Sequence, residues 1–185
     1  MSIAAVILAA GAGRRMGGPK ALLVVDGETL LRRAARAALA AGCAPVVAVV
    51  GPWDPELEDL GVLRVPNPEA DEGMASSIRT GLAALPHGVE AVLILAVDQP
   101  AVDAALLRGL LELFQTASGR PAACAYADTL GVPAVFPARL IPDLLDLRGD
   151  RGAKALLLQE GAVTLPFPEG AQDLDRPGDL TRVTR

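Results

Sequence analysis

Apolar residues follow two rhythms along this chain. Unbroken runs occupy residues 3–8, 46–50 and 91–97, with shorter apolar stretches at 62–65, where Arg64 interrupts, and at 122–125 and 132–136. Runs of this length, rich in Val, Ile and Leu, read as strands buried on both faces of a sheet. Between them the apolar positions recur at helical spacing. Leu30, Leu31, Ala34, Ala35, Ala38 and Leu39 form one stripe, and Gly42 stops it. Met74, Ile78, Leu82 and Leu85 form a second; Leu106, Leu107, Leu110, Leu111 and Phe114 form a third. Helical patterns follow near residues 138–145 and 152–158, then a short strand near Val163 and a final helix after Pro177. The alternation predicts a three-layer α/β/α sandwich around a mostly parallel sheet. No repeat, low-complexity stretch or linker interrupts it, so residues 1–185 read as a single domain.

Composition narrows the classes. Half of the chain is apolar (51%) but aromatics make up 3%, so the core is built from Ala, Val and Leu. The net charge of -5 carries no long run of one sign and gives no indication of a basic nucleic-acid face, so no nucleic-acid partner is expected, while a local cluster of Arg around a phosphate stays open. Cys43 and Cys124 have no metal-site spacing and read as buried thiols in a reducing compartment. No apolar run reaches the ~18 residues of a membrane span. The arginines follow the first apolar run instead of preceding it, the wrong order for a secretory signal. A cytoplasmic protein with no membrane partner is expected.

The chemistry begins after the first strand. Gly11, Gly13, Gly17 and Gly18 allow backbone N–H groups to approach phosphate oxygens closely. Arg14, Arg15 and Lys20 add positive charge. Lys20 and Lys154 are the only lysines among 17 basic residues, and a lysine closing a glycine loop suits a point contact with phosphate. Two other glycine loops are excluded. Pro19 before Lys20 and Ala21 after it break the P-loop pattern. Met16 stands where the dinucleotide fingerprint needs its third glycine.

Residues 8–20, LAAGAGRRMGGPK, resemble the L-A-[AG]-G-x-x-x-R-M-G-x-x-K signature of the molybdenum-cofactor nucleotidyltransferases. Glu72-Gly73-Met74-Ala75-Ser76-Ser77-Ile78-Arg79 resembles the E-G-M-x-S-S-[IL]-R segment of their cytidylyl-transferring branch. Asp98-Gln99-Pro100 is similar to its D-[MQ]-P metal segment. Residues 131–136, 148–153 and 173–177 resemble its later elements, in the same order. Ala10 stands where the guanylyl branch carries glycine. The chain departs from the family at residues 128–133, DTLGVP, where members acting on molybdopterin often read G-[RH]-x-G-[HN]-P.

The resemblance implies the nucleotidyltransferase variant of the Rossmann fold and a Mg²⁺-dependent transfer of CMP from CTP, or another nucleoside monophosphate from its triphosphate, to molybdopterin with release of diphosphate. It implies transient contact with a molybdenum enzyme. Two alternatives stay open: a sugar phosphate or polyol phosphate acceptor, and a non-catalytic nucleotide-binding partner of a molybdenum enzyme. Leu8, Ala9, Ala10, Gly11, Gly13, Arg14, Lys20, Gly73, Ser76 and Ser77 are the expected nucleotide-binding residues. Arg14, Lys20 and Asp98 are the expected catalytic set. Asp98 and Asp175 are the expected metal ligands, with Asp173 competing for the second place. Arg148 and Arg151 are expected to bind the acceptor, or else to decorate a surface turn with Asp150 as helix cap. Ser76 and Ser77 either cap a helix or read the base. His87, in a Pro-His-Gly turn, reads as a solvated loop residue.

Overall fold

The computed structural model describes residues 1–14, 16–53 and 55–172. The helix expected after Pro177 lies outside them, as do Arg15, Asp173 and Asp175. The first apolar run is strand β1 (Ile3–Ala9), buried along its whole length. A small hairpin follows, β2 (Val24–Val25) and β3 (Glu28–Thr29), turning at Asp26-Gly27. The hydrophobic pattern does not announce it, because arms of two residues are too short to show alternation. Thr29 ends the hairpin and caps helix α1 (Leu30–Ala40), its hydroxyl accepting from the Arg32 amide at 3.3 Å. Strands β4 (Val46–Val50) and β5 (Leu63–Pro66), helix α2 (Met74–Ala83) and strand β6 (Ala91–Ala96) complete the first half. Helix α3 (Ala104–Thr116) is capped by Asp103, which accepts from the Leu106 amide at 2.8 Å. Strands β7 (Ala122–Tyr126) and β8 (Thr129–Pro137), helices α4 (Ile141–Leu145) and α5 (Lys154–Gln159), and strand β9 (Val163–Pro166) follow.

Seven strands share one sheet in the order β5-β4-β1-β6-β8-β7-β9. The pairs β5/β4, β4/β1, β1/β6 and β7/β9 are parallel, and only β8 runs against its neighbours β6 and β7. The expected three layers follow from side-chain alternation along β1. Ile3, Ala5, Ile7 and Ala9 pack into one core with Leu31, Ala35, Leu107 and Leu110 of α1 and α3. Val6 and Leu8 point the other way, to Ile78, Leu82, Leu144 and Leu157 of α2, α4 and α5. Gly81 brings α2 close to the sheet: a Cβ there would strike Val6 Cγ1 and lie 2.9 Å from Val49 Cγ2.

Parallel register puts the carboxyl ends of four strands on one edge. Leu8 pairs with Ala96, Ala9 with Val50, and Val50 with Pro66. The loops after β1, β4, β5 and β6 therefore gather there, the usual location of ligands in open α/β sheets. Among the described residues no helix is long and apolar enough to cross a membrane. Cys43 and Cys124 are buried and free, and burial pushes their thiols up to about 11 and about 12.

Candidate active site

The loop after β1 is folded on Gly13. Gly13 has φ +59° and its carbonyl accepts from the Met16 amide at 2.8 Å and the Gly18 amide at 3.3 Å. A Cβ here would be driven into the Gly18 carbonyl oxygen, with the Lys20 amide nitrogen 3.2 Å away. The turn returns the chain to Lys20, whose ammonium lies 3.1 Å from Asp98 Oδ2 at the end of β6. Both side chains are partly buried (19% and 30% exposed), so their attraction is screened less than that of a surface pair. Lys20 and Asp98 stand 78 positions apart in sequence, and the pairing of β1 with β6 in the sheet brings them together.

A cleft of about 530 Å³ opens over this edge, within the size range of small-molecule sites. Leu8, Ala9, Ala10, Gly11, Gly13, Lys20, Gly73, Ser77 and Asp98 line it, which brings together nine of the residues singled out in the sequence. Arg14 borders the adjoining hollow with Gly13, Lys20 and Asp71. Its guanidinium pairs with Asp71 at 2.9 Å, and both side chains are exposed. Ser76 differs from its neighbour. It is buried behind the cleft wall, its hydroxyl donating to the Gly73 carbonyl at 2.9 Å.

Arg148 and Arg151 are not part of the cleft lining. The Arg148 guanidinium donates to the Leu145 and Leu147 carbonyls at 2.8 and 2.7 Å, so its own loop's backbone holds it. Arg151 is exposed. Asp150, expected as a helix cap, does not cap: Ala153 precedes α5 and no side chain bonds to that helix start. Asp150 instead lines the cleft, beside Gly73. Gly73 has φ +123°, and a Cβ on it would strike Asp150 Oδ1 and sit 2.7 Å from the Gly149 carbonyl. The two loops are clamped together. The Ala75 amide donates to the Gly149 carbonyl at 3.1 Å, and the Gly149 amide donates to Glu72 Oε1 at 3.1 Å. Arg79 pairs with Glu72 at 2.5 Å and donates to the Leu147 carbonyl at 2.7 Å. The Arg79 hydrogen bond, then the Gly149 amide, hold the Glu72 carboxyl down at about 2.

Sequence reasoning missed Asn67, which is 4% exposed. An asparagine before proline reads as a turn residue, and its contacts across the loop leave no mark in the spacing. Gln99, named only within its motif, is buried and donates to the Gly170 carbonyl at 3.1 Å, tying the Asp98 loop to the turn after β9.

The donor set fits a hard cation. Asp98 offers carboxylate oxygen at the strand end, and Asp150 offers another on the same cleft. No group of three acidic, His or Cys side chains that could hold a metal occurs among the described residues. Mg²⁺ is commonly held by one or two carboxylates with substrate phosphates and water completing its shell, and oxygen donors of this kind are what Asp98 and Asp150 supply. Asp175 lies outside the described residues.

Comparison with known proteins agrees with this geometry. Residues 5–163 match the family model described as a MobA-like NTP transferase domain. The chain is 36% identical over 173 residues to the nicotine blue oxidoreductase of Paenarthrobacter nicotinovorans, covering 85% of this chain and 82% of that protein. It is 32% identical to the molybdenum cofactor guanylyltransferase of Rhodobacter capsulatus, covering 99% and 95%. That name is of the guanylyl branch, whereas the motifs resemble the cytidylyl branch. Among solved structures, a nucleotidyl transferase from Methanothermobacter thermautotroptrophicus superposes with a TM-score of 0.81 at 30% identity, covering 99% of this chain and 96% of that one.

Proposed function

The chain belongs to the MobA-like NTP transferase family, and on that premise we propose that it transfers a nucleoside monophosphate from a triphosphate to a phosphate-bearing acceptor, releasing diphosphate. The observation that carries the reading is the meeting of the Gly13 turn, Lys20 and Asp98 on one cleft. In the reaction, an acceptor phosphate oxygen attacks the α-phosphorus. The bond from that phosphorus to its bridging oxygen breaks, and diphosphate leaves with the electron pair. An acceptor that is already anionic requires no general base, so catalysis is positioning and charge compensation.

Backbone amides of the loop hold the triphosphate in line. Lys20 and Arg14 compensate the charge that grows on the leaving diphosphate. Asp98, with Asp175 as the proposed second ligand, would hold Mg²⁺. When bound, the ion neutralises phosphate charge and polarises the α-phosphoryl group. Lys20 balances Asp98 and Arg14 pairs with Asp71, and in this reading each cation turns from its carboxylate to a phosphate when the triphosphate binds.

CTP as donor and molybdopterin as acceptor form the leading assignment. Ala10 and the cleft-facing Ser77 support the base; the guanylyltransferase relative favours GTP as the second reading. Hydride transfer, which the oxidoreductase relative's name would bring to mind, is disfavoured by Met16 in the place of a fingerprint glycine. Diphosphate release with CTP, GTP, ATP and UTP, each with and without molybdopterin or a sugar phosphate, tests the proposal. Release with CTP and molybdopterin is expected. Release only with GTP overturns the base, release only with a sugar phosphate overturns the acceptor, and no release under any combination overturns nucleotidyl transfer.

A further inference from the structure

A second, far smaller cavity lies between α1 and the loop that carries Asp98. Leu30, Arg33 and Ala34 of α1 line one side of it, and Val97, Gln99 and Pro100 the other. Two polar atoms of these residues, Arg33 Nε and Gln99 Oε1, are buried and meet no hydrogen-bond partner among the described residues. The two are complementary: a guanidinium N–H only donates and an amide oxygen only accepts. The Gln99 amide cannot turn to relieve its oxygen, because Nε2 donates to the Gly170 carbonyl at 3.1 Å, and a turned amide would set oxygen against oxygen. The guanidinium is held as well. One terminal nitrogen lies 3.5 Å from Asp26 Oδ2 and the other 3.5 Å from the Pro100 carbonyl. A buried polar atom without a partner is costly, and one of each kind on a single cavity calls for a ligand that accepts and donates. Size and charge decide which. The cavity offers about 10 Å³ to the centre of a water molecule, the room of one water and too little for an organic group. A cation is opposed by Arg33 and an anion by the Gln99 oxygen.

We propose that one buried water bridges Arg33 Nε and Gln99 Oε1, and that the bridge makes both side chains positioning residues for Asp98. The water accepts from Arg33 and donates to Gln99. Gln99 follows Asp98 directly and is 6% exposed. Its backbone carbonyl accepts from the Val102 amide at 3.1 Å, closing the turn. Its side chain reaches the turn after β9 through Gly170 and, through the water, α1. The loop after β6 is thus fixed from two separate elements, and Asp98 keeps one place beside Lys20. The water site stands on the geometry alone; its effect on turnover rests on the nucleotidyl-transfer reading.

A crystal structure at a resolution that shows ordered water tests the bridge first. Density for one water within about 3.2 Å of both atoms is expected. A direct contact between Arg33 and Gln99, or no density between them, overturns the bridge. Urea unfolding and diphosphate-release kinetics of Arg33→Lys, Gln99→Met and the double variant test it again. Lysine keeps the charge but puts a methylene where Arg33 has Nε–H. Arg33→Lys is expected to raise the unfolding equilibrium constant roughly tenfold in the wild-type background. In the Gln99→Met background, where the oxygen it would orphan is gone, the rise is expected to be at most about twofold. Equal destabilisation in both backgrounds overturns the bridge. With the triphosphate that wild type uses, Arg33→Lys is expected to lower kcat about tenfold, part of the roughly 100-fold that a 1 Å misplacement costs, with KM for the triphosphate unchanged. Unchanged kcat in a folded Arg33→Lys protein, or a loss through KM alone, overturns the positioning of Asp98 while leaving nucleotidyl transfer intact. Should the variants not fold, the crystal structure still decides the bridge. No turnover by wild type with any triphosphate overturns the nucleotidyl-transfer reading, and the crystallographic and unfolding results decide the water site independently of it.

Discussion

Gly13→Ala separates the loop's chemistry from the protein's stability. The substitution adds one methyl group, and the structure specifies what it meets. At φ +59° an alanine costs about 1–2 kcal/mol relative to glycine through its own backbone clash. The methyl would also collide with the Gly18 carbonyl oxygen, with that carbonyl's carbon at 2.8 Å, inside the 3.0 Å that real Cβ atoms keep. Both obstacles are backbone atoms of the same loop, so no side chain can rotate away; the turn itself must open. A displacement of about 1 Å in groups that position a reacting phosphate lowers kcat/KM by roughly 100-fold. The cost falls on one loop, so the protein is expected to stay folded, with thermal unfolding followed by circular dichroism lowered by the several degrees that about 1–2 kcal/mol implies. Two neighbouring glycines serve as controls. A methyl on Gly17 meets no atom within 4 Å, although φ is +80°, so Gly17→Ala is expected to lose far less activity. Gly11 has open space around it in the cleft lining, so Gly11→Ala is expected to fold normally and raise KM for the triphosphate. The assay is diphosphate release with CTP. Activity of Gly13→Ala within threefold of wild type would refute the argument that this turn shapes the phosphate cradle.

Two further outcomes follow from the geometry. Gly81→Ala places a methyl against Val6 Cγ1 and Val49 Cγ2, and overpacking of this kind is expected to cost about 1–3 kcal/mol in urea unfolding, reduced somewhat by alanine's better helix propensity. Glu72 clamps the Gly149 loop with its carboxyl depressed from 4.5 to about 2, so its stabilisation is complete above pH 4.5 and is lost as pH falls toward about 2. Glu72→Gln is therefore expected to lower stability at pH 7 and to flatten the acid unfolding profile across that window, read by fluorescence of Trp53.

The elements with regular periodicity were legible in the sequence because their apolar runs are the cores themselves. Residues 3–8 and 91–97 became adjacent strands, and the stripe from Leu30 to Leu39 became α1. That the loop glycines, Lys20 and Asp98 belong together was equally legible, since the residue types suit one chemistry, and the structure places them on one cleft. The contacts of Asn67 and Asp150 were not. Asn67 acts through hydrogen bonds to residues 9 and 10 positions away, and Asp150 reaches the cleft because α2 and the Gly149 loop are clamped together. Those relations arise from tertiary contact, which a linear pattern of polar residues does not encode. The expected cap at Asp150 failed for the same reason: its position before α5 resembled a cap, but that loop is held by Glu72 and Arg79.

The central claim is that Asp98 acts in nucleotidyl transfer and is not merely Lys20's partner. Diphosphate release from CTP by Asp98→Ala, with folding checked by circular dichroism, tests it most directly. The expected result is a folded protein whose release falls by about 100-fold or more, since the carboxylate proposed to hold Mg²⁺ against the phosphates has been removed. Release by a folded Asp98→Ala protein at the wild-type rate would contradict the account.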